Sequence, residues 1–150
     1  MTTSQENNDD LQQVGLILVT HADYGSALLR AAETILGPAH DCVSIQVDAN
    51  YEVGDTVTRL HEAAKRLESG RGVLILTDMF GGTPTNLSLS LMKSQHAEVD
   101  VITGVNLPML LRVLSNRNMP LGELSSLAHK AGLEGIIAAG SVLRPKPKEA

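Results

Sequence analysis

The sequence predicts a doubly wound α/β fold, with a mainly parallel sheet in the strand order 2-1-3-4 and helices on both faces. Short, continuous apolar runs rich in Val, Ile and Leu recur along the 150 residues, and such runs are typical of strands buried on both faces. Strand patterns alternate with helix patterns, which indicates right-handed crossovers between parallel strands. Two runs end at titratable residues, His21 and Asp78, where ligand and catalytic groups gather in such sheets.

The first half of the chain contains three strand patterns separated by two helix patterns. The apolar run at 14–21 is followed by Leu and Ala at helical spacing, until a Gly-Pro pair at 37–38 ends the helix. Cys42–Val47 alternates apolar and polar residues, which predicts a second strand. A helical face over Val53–Leu67 stops at a Ser-Gly pair, and the third strand, Val73–Thr77, follows.

A glycine turn leaves the third strand and leads into the next helix. Thr83 is predicted to be its N-cap and Pro84 its first helical residue, with the helix running to about Ser94. The fourth strand is predicted over residues 98–103, and a turn at 104–106 ends it.

The last third of the chain is predicted to be mostly helical. Leu107 and Pro108 start one helix, and Pro120 begins another, which the glycines within 132–135 break. Residues 136–143 are apolar and rich in small side chains, and their pattern fits either a short helix or an edge strand of the sheet.

Length and composition indicate a single domain over residues 14–143. The acidic residues 1–13 are expected to be a disordered extension, and residues 144–150 a tail or linker stub. The chain has 12 basic and 17 acidic residues and only 2% aromatic residues, so it lacks the signatures of a nucleic-acid binder. A single cysteine, Cys42, no bilayer-length apolar run and no secretory signal predict a cytoplasmic protein without membrane insertion.

The predicted strand order brings His21 and Asp78 to one crevice, because strands one and three are neighbours at the switch point. A neutral imidazole has one nitrogen free to attack, and a carboxylate that accepts the N–H of the other nitrogen would orient the ring and stabilise its positive charge. Helix starts, glycines and hydroxyls nearby suit an anion. The pattern therefore predicts a histidine that accepts a phosphoryl group among four candidate phosphoryl-binding residues: Gly81, Gly82, Thr83 and Asn106.

Each part of this constellation also has a purely structural interpretation. A histidine at a strand end is often a capping or surface residue, an aspartate there can bond turn amides, and Gly-Gly-Thr-Pro makes a tight turn before a helix. The coincidence of all three at one crevice favours the functional interpretation. No metal and no cofactor is expected, because nucleotide-binding fingerprints do not occur and the other histidines lack metal-ligand spacing: His40, His61, His96 and His129.

At these residues the chain resembles the mannose-type enzyme IIA family of the bacterial phosphoenolpyruvate–sugar phosphotransferase system (PTS). The resemblance covers about residues 14–139 and rests on four segments: I-L-V-T-H-A-D-Y-G, A-A-E-T-I-L-G, V-L-I-L-T-D-M-F-G-G-T-P-T-N and V-I-T-G-V-N-L-P-M-L. It implies a cytoplasmic phosphotransferase component, commonly a homodimer, that accepts a phosphoryl group from the phosphocarrier HPr and passes it to a IIB partner. By position, His21 is implied to be phosphorylated, Asp78 to bond its other ring nitrogen, and Thr83 to lie near the phosphoryl group.

The chain departs from the family pattern at two points. The residue after the histidine is often glycine in the family and is Ala22 here, and no IIB domain follows. In some members the C-terminal segment is an edge strand exchanged between subunits, which concerns residues 136–143. Four apolar residues are interpreted as a rim that docks HPr, with core or dimer contacts as the alternative: Met79, Phe80, Leu107 and Met109.

Three functions are compatible with these residues. The prediction is a phosphocarrier in PTS sugar uptake. The alternative is a regulatory phosphoprotein, as in nitrogen-type PTS chains, whose phosphorylation state controls a partner without sugar transport. A third is a hydrolase in which water attacks the phosphohistidine, for which Asp23 and Tyr24 are the nearby candidate acids.

Overall fold

A four-stranded parallel sheet in the order β2-β1-β3-β4 forms the centre of the protein. The computed structural model describes residues 12–50, 52–94 and 97–149. Its strands are β1 (Gly15–His21), β2 (Cys42–Val47), β3 (Val73–Thr77) and β4 (Val99–Thr103). Its helices are α1 (Tyr24–Leu36), α2 (Val53–Leu67), α3 (Thr83–Met92), α4 (Leu107–Leu114), α5 (Leu121–Glu134) and α6 (Ala139–Leu143). The predicted fold class and strand order are confirmed.

Two separate hydrophobic clusters cover the two faces of the sheet. Alternate residues of β1 point to opposite faces, so Leu16 and Leu18 pack on one side with residues of α4 and α5. Ile17 and Val19 pack on the other side with residues of α2 and α3. Because β1 and β3 are covered on both faces, their buried runs lack the apolar–polar alternation of a half-exposed strand.

Register places the carboxyl ends of β1 and β3 side by side. Val19 pairs with Thr77, and the next residues along the two strands lead to His21 and Asp78. On the other side of β1, His21 itself pairs with Val47 at the end of β2. The switch point of the sheet therefore lies at His21, as the strand order predicted.

A buried arginine lies at the other end of the strands, where β1 and β2 begin. Arg117 is 3% exposed, and its guanidinium donates hydrogen bonds to the carbonyls of Val14 at 2.8 Å, Asp41 at 2.7 Å and His40. Burial raises the pKa of the neighbouring Cys42 thiol to about 12, although the charge of Arg117 acts in the other direction. Cys42 is thus a neutral, unreactive side chain in this part of the core.

Two local predictions need correction, and one open alternative is decided. Gly82 is the N-cap of α3, and Thr83 is already its first helical residue. Gly132 lies inside α5, and Gly135 is the C-cap that follows its last residue, Glu134, so only the second of these two glycines ends the helix. Residues 136–143 contain the short helix α6, so the edge strand is not part of the described sheet.

The predicted domain boundaries stay predictions. Most of the expected N-terminal extension, residues 1–11, lies outside the described residues. Residues 144–149 are exposed and have no regular structure. Within the described part of the chain, no helix is both long and apolar enough to cross a membrane.

Candidate functional site

His21 and Asp78 form a hydrogen-bonded pair at the switch point. The ring nitrogen Nδ1 of His21 lies 2.8 Å from Oδ2 of Asp78, and the same oxygen accepts the backbone N–H of His21 at 3.0 Å. The other carboxylate oxygen, Oδ1, accepts the backbone N–H of Met79. The side chain of His21 is 48% exposed and that of Asp78 is 15% exposed, so the carboxylate lies beneath the ring and the ring faces outward.

The ionisation of Asp78 decides which nitrogen of His21 carries the proton. Partial burial acts to raise the pKa of Asp78, but hydrogen bonds from the backbone and ring of His21 outweigh it and hold that pKa below its ordinary value. An ionised carboxylate can only accept hydrogen bonds, so Nδ1 of His21 must donate. In the neutral ring this leaves a lone pair on Nε2, the nitrogen that faces away from Asp78.

Two hydrogen bonds with neighbouring segments fix the chain around the carboxyl end of β1. The hydroxyl of buried Thr20 accepts the backbone N–H of Gly25 at 2.8 Å, which fixes the start of α1, and a Cβ on Gly25 would lie 2.9 Å from that hydroxyl oxygen. Ala22 donates its backbone N–H to Val47 and has a φ of 46°, in the left-handed region. Because that region costs a residue with a Cβ about 1 kcal/mol, a glycine at this position would adopt the same backbone with less strain.

The turn after β3 is held by a second buried hydroxyl. Thr85 lies in the first turn of α3, and its Oγ1 lies 2.6 Å from the carbonyl of Met79 and 2.8 Å from the hydroxyl of Thr77. These two bonds fasten both ends of the turn that carries Asp78. Neither Thr20 nor Thr85 was predicted as a site residue, because the sequence gives no sign of which hydroxyls a fold will bury.

Gly82 lies directly against the His21 ring. A Cβ at Gly82 would come within 3.0 Å of the ring carbon Cε1 and 3.5 Å of Nε2, whereas a Cβ at the preceding Gly81 would meet nothing. Gly81 is instead required by the backbone, which has a φ of 89° there. The first-turn N–H groups of α3, which start at Thr83, have no acceptors within the helix and follow directly on Gly82 at the ring.

A cleft of about 350 Å³ opens beside His21 on the side of β2. Thr83 and Leu87 of α3 form one wall, and the end of β2 and the start of α2 form the other. The cleft is lined by one carboxylate, Asp48, together with the apolar residues Val47, Ala49 and Val53. The His21 side chain therefore borders an open space.

Asn106 has a structural task in the fold. Its Oδ1 accepts the N–H of Met109 as the N-cap of α4, and its Nδ2 donates to the carbonyl of Gly132. With both ends of the amide engaged, its predicted contact with a phosphoryl group stays a prediction. The other three phosphoryl-binding candidates lie in the loop and helix start that face His21.

The four apolar residues interpreted from the sequence as a docking rim differ in their exposure. Met79 and Phe80 are exposed, at 55% and 77%, in the turn after Asp78. Met109 is buried in the core, and Leu107 is half-buried against the same cluster. Only the first pair is available to a partner.

Among residues 12–50, 52–94 and 97–149, no group of three or more His, Cys, Asp or Glu is arranged to hold a metal ion. His96 lies outside those residues.

Comparison with known proteins identifies relatives over most of the chain. A family model named EIIA-man, described as "PTS system fructose IIA component", matches residues 15–129. The mannose-specific EIIAB component of Escherichia coli (strain K12) is 32% identical over 139 residues, which cover 91% of this chain and 41% of that protein. The sorbose-specific EIIA component of Lacticaseibacillus casei is 35% identical over 114 residues, 74% of this chain and 80% of that protein.

A solved structure gives the same result. Phosphotransferase system component EIIA from Streptococcus agalactiae aligns with a TM-score of 0.78 at 27% identity, covering 85% of this chain and 98% of that one. The chain thus matches whole EIIA components over most of their length, and the longer EIIAB relative over less than half of its own.

Replacement of Gly82 by Ala is expected to hinder the approach of a phosphoryl donor to Nε2 of His21. Because the new Cβ would lie 3.0 Å from the ring, the rate at which the small donor phosphoramidate phosphorylates His21 should fall about tenfold. The rate is measured by intact mass at neutral pH. Gly122→Ala, where a Cβ meets nothing, is the matched control. Equal rates in both variants would contradict the assigned position of Gly82.

Asp78 is expected to contribute stability that acid removes. Its pKa is lower in the folded protein than in the unfolded chain, so the native state binds fewer protons. The contribution is complete above the unfolded pKa and is lost as the pH falls through the folded pKa. Urea unfolding of wild type and Asp78→Asn should therefore show a stability difference that shrinks toward acid pH. A difference that grows there would contradict the assignment.

Proposed function

The chain belongs to the mannose-type enzyme IIA family of the PTS, and from this membership and the site we propose that it is a phosphocarrier. Nε2 of His21 accepts a phosphoryl group from phospho-HPr and passes it to a IIB partner in sugar uptake. The observation that carries the proposal is the 2.8 Å bond between Nδ1 of His21 and Asp78, which leaves Nε2 as the nucleophile at an open surface. The protein acts in the cytoplasm.

In the transfer step the lone pair of Nε2 attacks phosphorus from the side opposite the donor. The Nε2–P bond forms as the bond between phosphorus and the donor breaks, and the proton on Nδ1 stays in its hydrogen bond. The ring then carries positive charge, which the carboxylate of Asp78 offsets. The N–H groups at the start of α3 and the hydroxyl of Thr83 receive the phosphoryl oxygens in the space that Gly82 leaves open.

Two features favour transfer between proteins over hydrolysis. His21 is 48% exposed in an open cleft, which suits two successive partners that each approach Nε2. A hydrolase would need a general acid for its leaving group. The hydroxyl of Tyr24, one of the two candidate acids, is engaged, because it donates to the carbonyl of Val105 at 2.8 Å.

We further propose that the protein is a homodimer built on its C-terminal apolar surface. Five large apolar residues at the end of α5 and in the segment after it are between 62% and 88% exposed: Leu133, Ile136, Ile137, Val142 and Leu143. Such a concentration in one short stretch is unusual for a monomer. A second copy would cover it.

The phosphocarrier proposal is tested by reconstitution with phosphoenolpyruvate, enzyme I and HPr. Intact mass should show an acid-labile gain of one phosphoryl group on wild type and on the control His61→Ala, and none on His21→Ala. Asp78→Asn should fold normally but accept the group roughly a hundredfold more slowly, since an amide cannot offset the imidazolium charge. Labelling of His21→Ala would refute the site.

The acceptor is identified in the same system. Labelled protein is mixed with a purified IIB protein, and transfer of the label supports the role in sugar uptake. Retention of the label on His21, with IIB of the cognate system present, would point to the regulatory alternative instead.

The dimer is tested by sedimentation. Wild type should sediment at twice the chain mass, and the double variant Ile136→Ser, Ile137→Ser should shift to the monomer while it keeps its fold. Ile35→Ser, which removes another exposed isoleucine, on α1, is the control. A monomeric wild type would contradict the proposal.

A further inference from the structure

The turn that carries Asp78 has little packing to hold it in place. Met79 and Phe80 are both exposed, and the two residues that follow them, Gly81 and Gly82, have no side chains to pack. A Cβ at Gly81 would meet nothing, so open space surrounds this part of the turn. Because apolar contacts are few here, the position of the Asp78 carboxylate depends on the hydrogen bonds of the turn.

Two fully buried hydroxyls beside this turn form a hydrogen-bonded chain whose direction can be assigned. Oγ1 of Thr85 lies 2.6 Å from the carbonyl oxygen of Met79 and 2.8 Å from Oγ1 of Thr77. A carbonyl oxygen only accepts, so the single hydroxyl hydrogen of Thr85 is donated to Met79. The hydroxyl of Thr85 must then accept from Thr77. The chain therefore runs from Thr77 through Thr85 to the carbonyl of Met79.

This chain connects the turn with two regular elements of the fold. Thr77 is the last residue of β3, and its carbonyl accepts the backbone N–H groups of Gly104 and Val105 at 2.9 Å, which ties β3 to the exit of β4. Thr85 belongs to the first turn of α3. The carbonyl of Met79 is thus held from the sheet and from the helix at once.

Met79 passes this constraint on to Asp78. Its backbone N–H donates to Oδ1 of Asp78 at 3.0 Å, while its carbonyl accepts from Thr85. With Oδ1 engaged in this way, Oδ2 is the oxygen that accepts the backbone N–H and the Nδ1 proton of His21. Rotation of Met79 would break the bond to Oδ1 and release the carboxylate from this orientation.

We propose that Thr85 is a positioning residue for phosphoryl transfer, whose hydroxyl acts through Met79 to hold the Asp78 carboxylate against the His21 ring. The inference rests on the proposed phosphocarrier function. The same helix, α3, offers its first N–H groups to the phosphoryl oxygens, so Thr85 also links the groups that bind the phosphoryl group to the pair that attacks it. A misplacement of about 1 Å between such groups can cost about a hundredfold in rate.

The test removes the hydroxyl and then restores it. Thr85→Val replaces the hydroxyl by a methyl group of similar size and leaves the carbonyl of Met79 without its donor. The rate at which phosphoramidate phosphorylates His21 should fall about tenfold in Thr85→Val and stay within about threefold of wild type in Thr85→Ser, which keeps the hydroxyl. With phospho-HPr as donor the loss should fall on kcat while KM is unchanged, because buried Thr85 has no surface for a partner.

Ser88→Ala is the matched control, since Ser88 is also fully buried on α3 and its hydroxyl donates to the carbonyl of Pro84 within the helix. Urea unfolding of each variant confirms that it folds. A purely structural role would lower the free energy of unfolding of Thr85→Val and leave its phosphorylation rate equal to that of the control. By NMR, the Nδ1 proton of His21 should exchange with water faster in Thr85→Val than in wild type or Ser88→Ala.

Three outcomes would overturn the inference: equal rates of Thr85→Val and the control, a Thr85→Ser variant as slow as Thr85→Val, or a loss that falls on KM alone. Should Thr85→Val fail to fold, Thr77→Val tests the chain from its other end. A rate about threefold below that of Ser88→Ala supports the inference, and an equal rate overturns it. A wild type that gains no phosphoryl group from either donor would instead overturn the phosphocarrier function itself.

Discussion

The hydrogen bond between Nδ1 of His21 and Asp78 is the interaction on which the site depends. It exists because β1 and β3 are neighbours and end at the same level, so two residues that are 57 positions apart meet at 2.8 Å. It fixes the tautomer of the ring, directs Nε2 away from Asp78 and places a negative charge beside the ring. The buried hydroxyls of Thr20 and Thr85 support it from below, because each fastens the turn that carries one of the partners.

The strands and the pair itself could be predicted from sequence, because buried parallel strands are continuous apolar runs and their exits are marked by His21 and Asp78. The rest depends on contacts that no local pattern encodes. The left-handed backbone of Ala22 follows from the chain's path between β1 and α1, and the two hydrogen bonds of Asn106 follow from the packing of α4 on α5. The helix at 139–143 could not be distinguished from a strand, because a short run of small apolar residues fits both.

The amino-terminal and carboxyl-terminal ends of the parallel strands differ in charge and in exposure. At the amino-terminal ends of the strands, the buried guanidinium of Arg117 donates hydrogen bonds to three backbone carbonyls. At the carboxyl-terminal ends of the strands the charged residues of the loops are all acidic, and the half-exposed His21 lines a cleft.

The arrangement of His21 and Asp78 is tested most directly by ¹⁵N and ³¹P NMR of the protein with ¹⁵N-labelled histidine, before and after phosphorylation. We expect that the phosphorus couples to Nε2 of His21 and that Nδ1 remains protonated and hydrogen-bonded in both states. A phosphoryl group on Nδ1 would contradict this expectation, because that nitrogen could not then donate to Asp78. Phosphorylation of any other residue would contradict it as well.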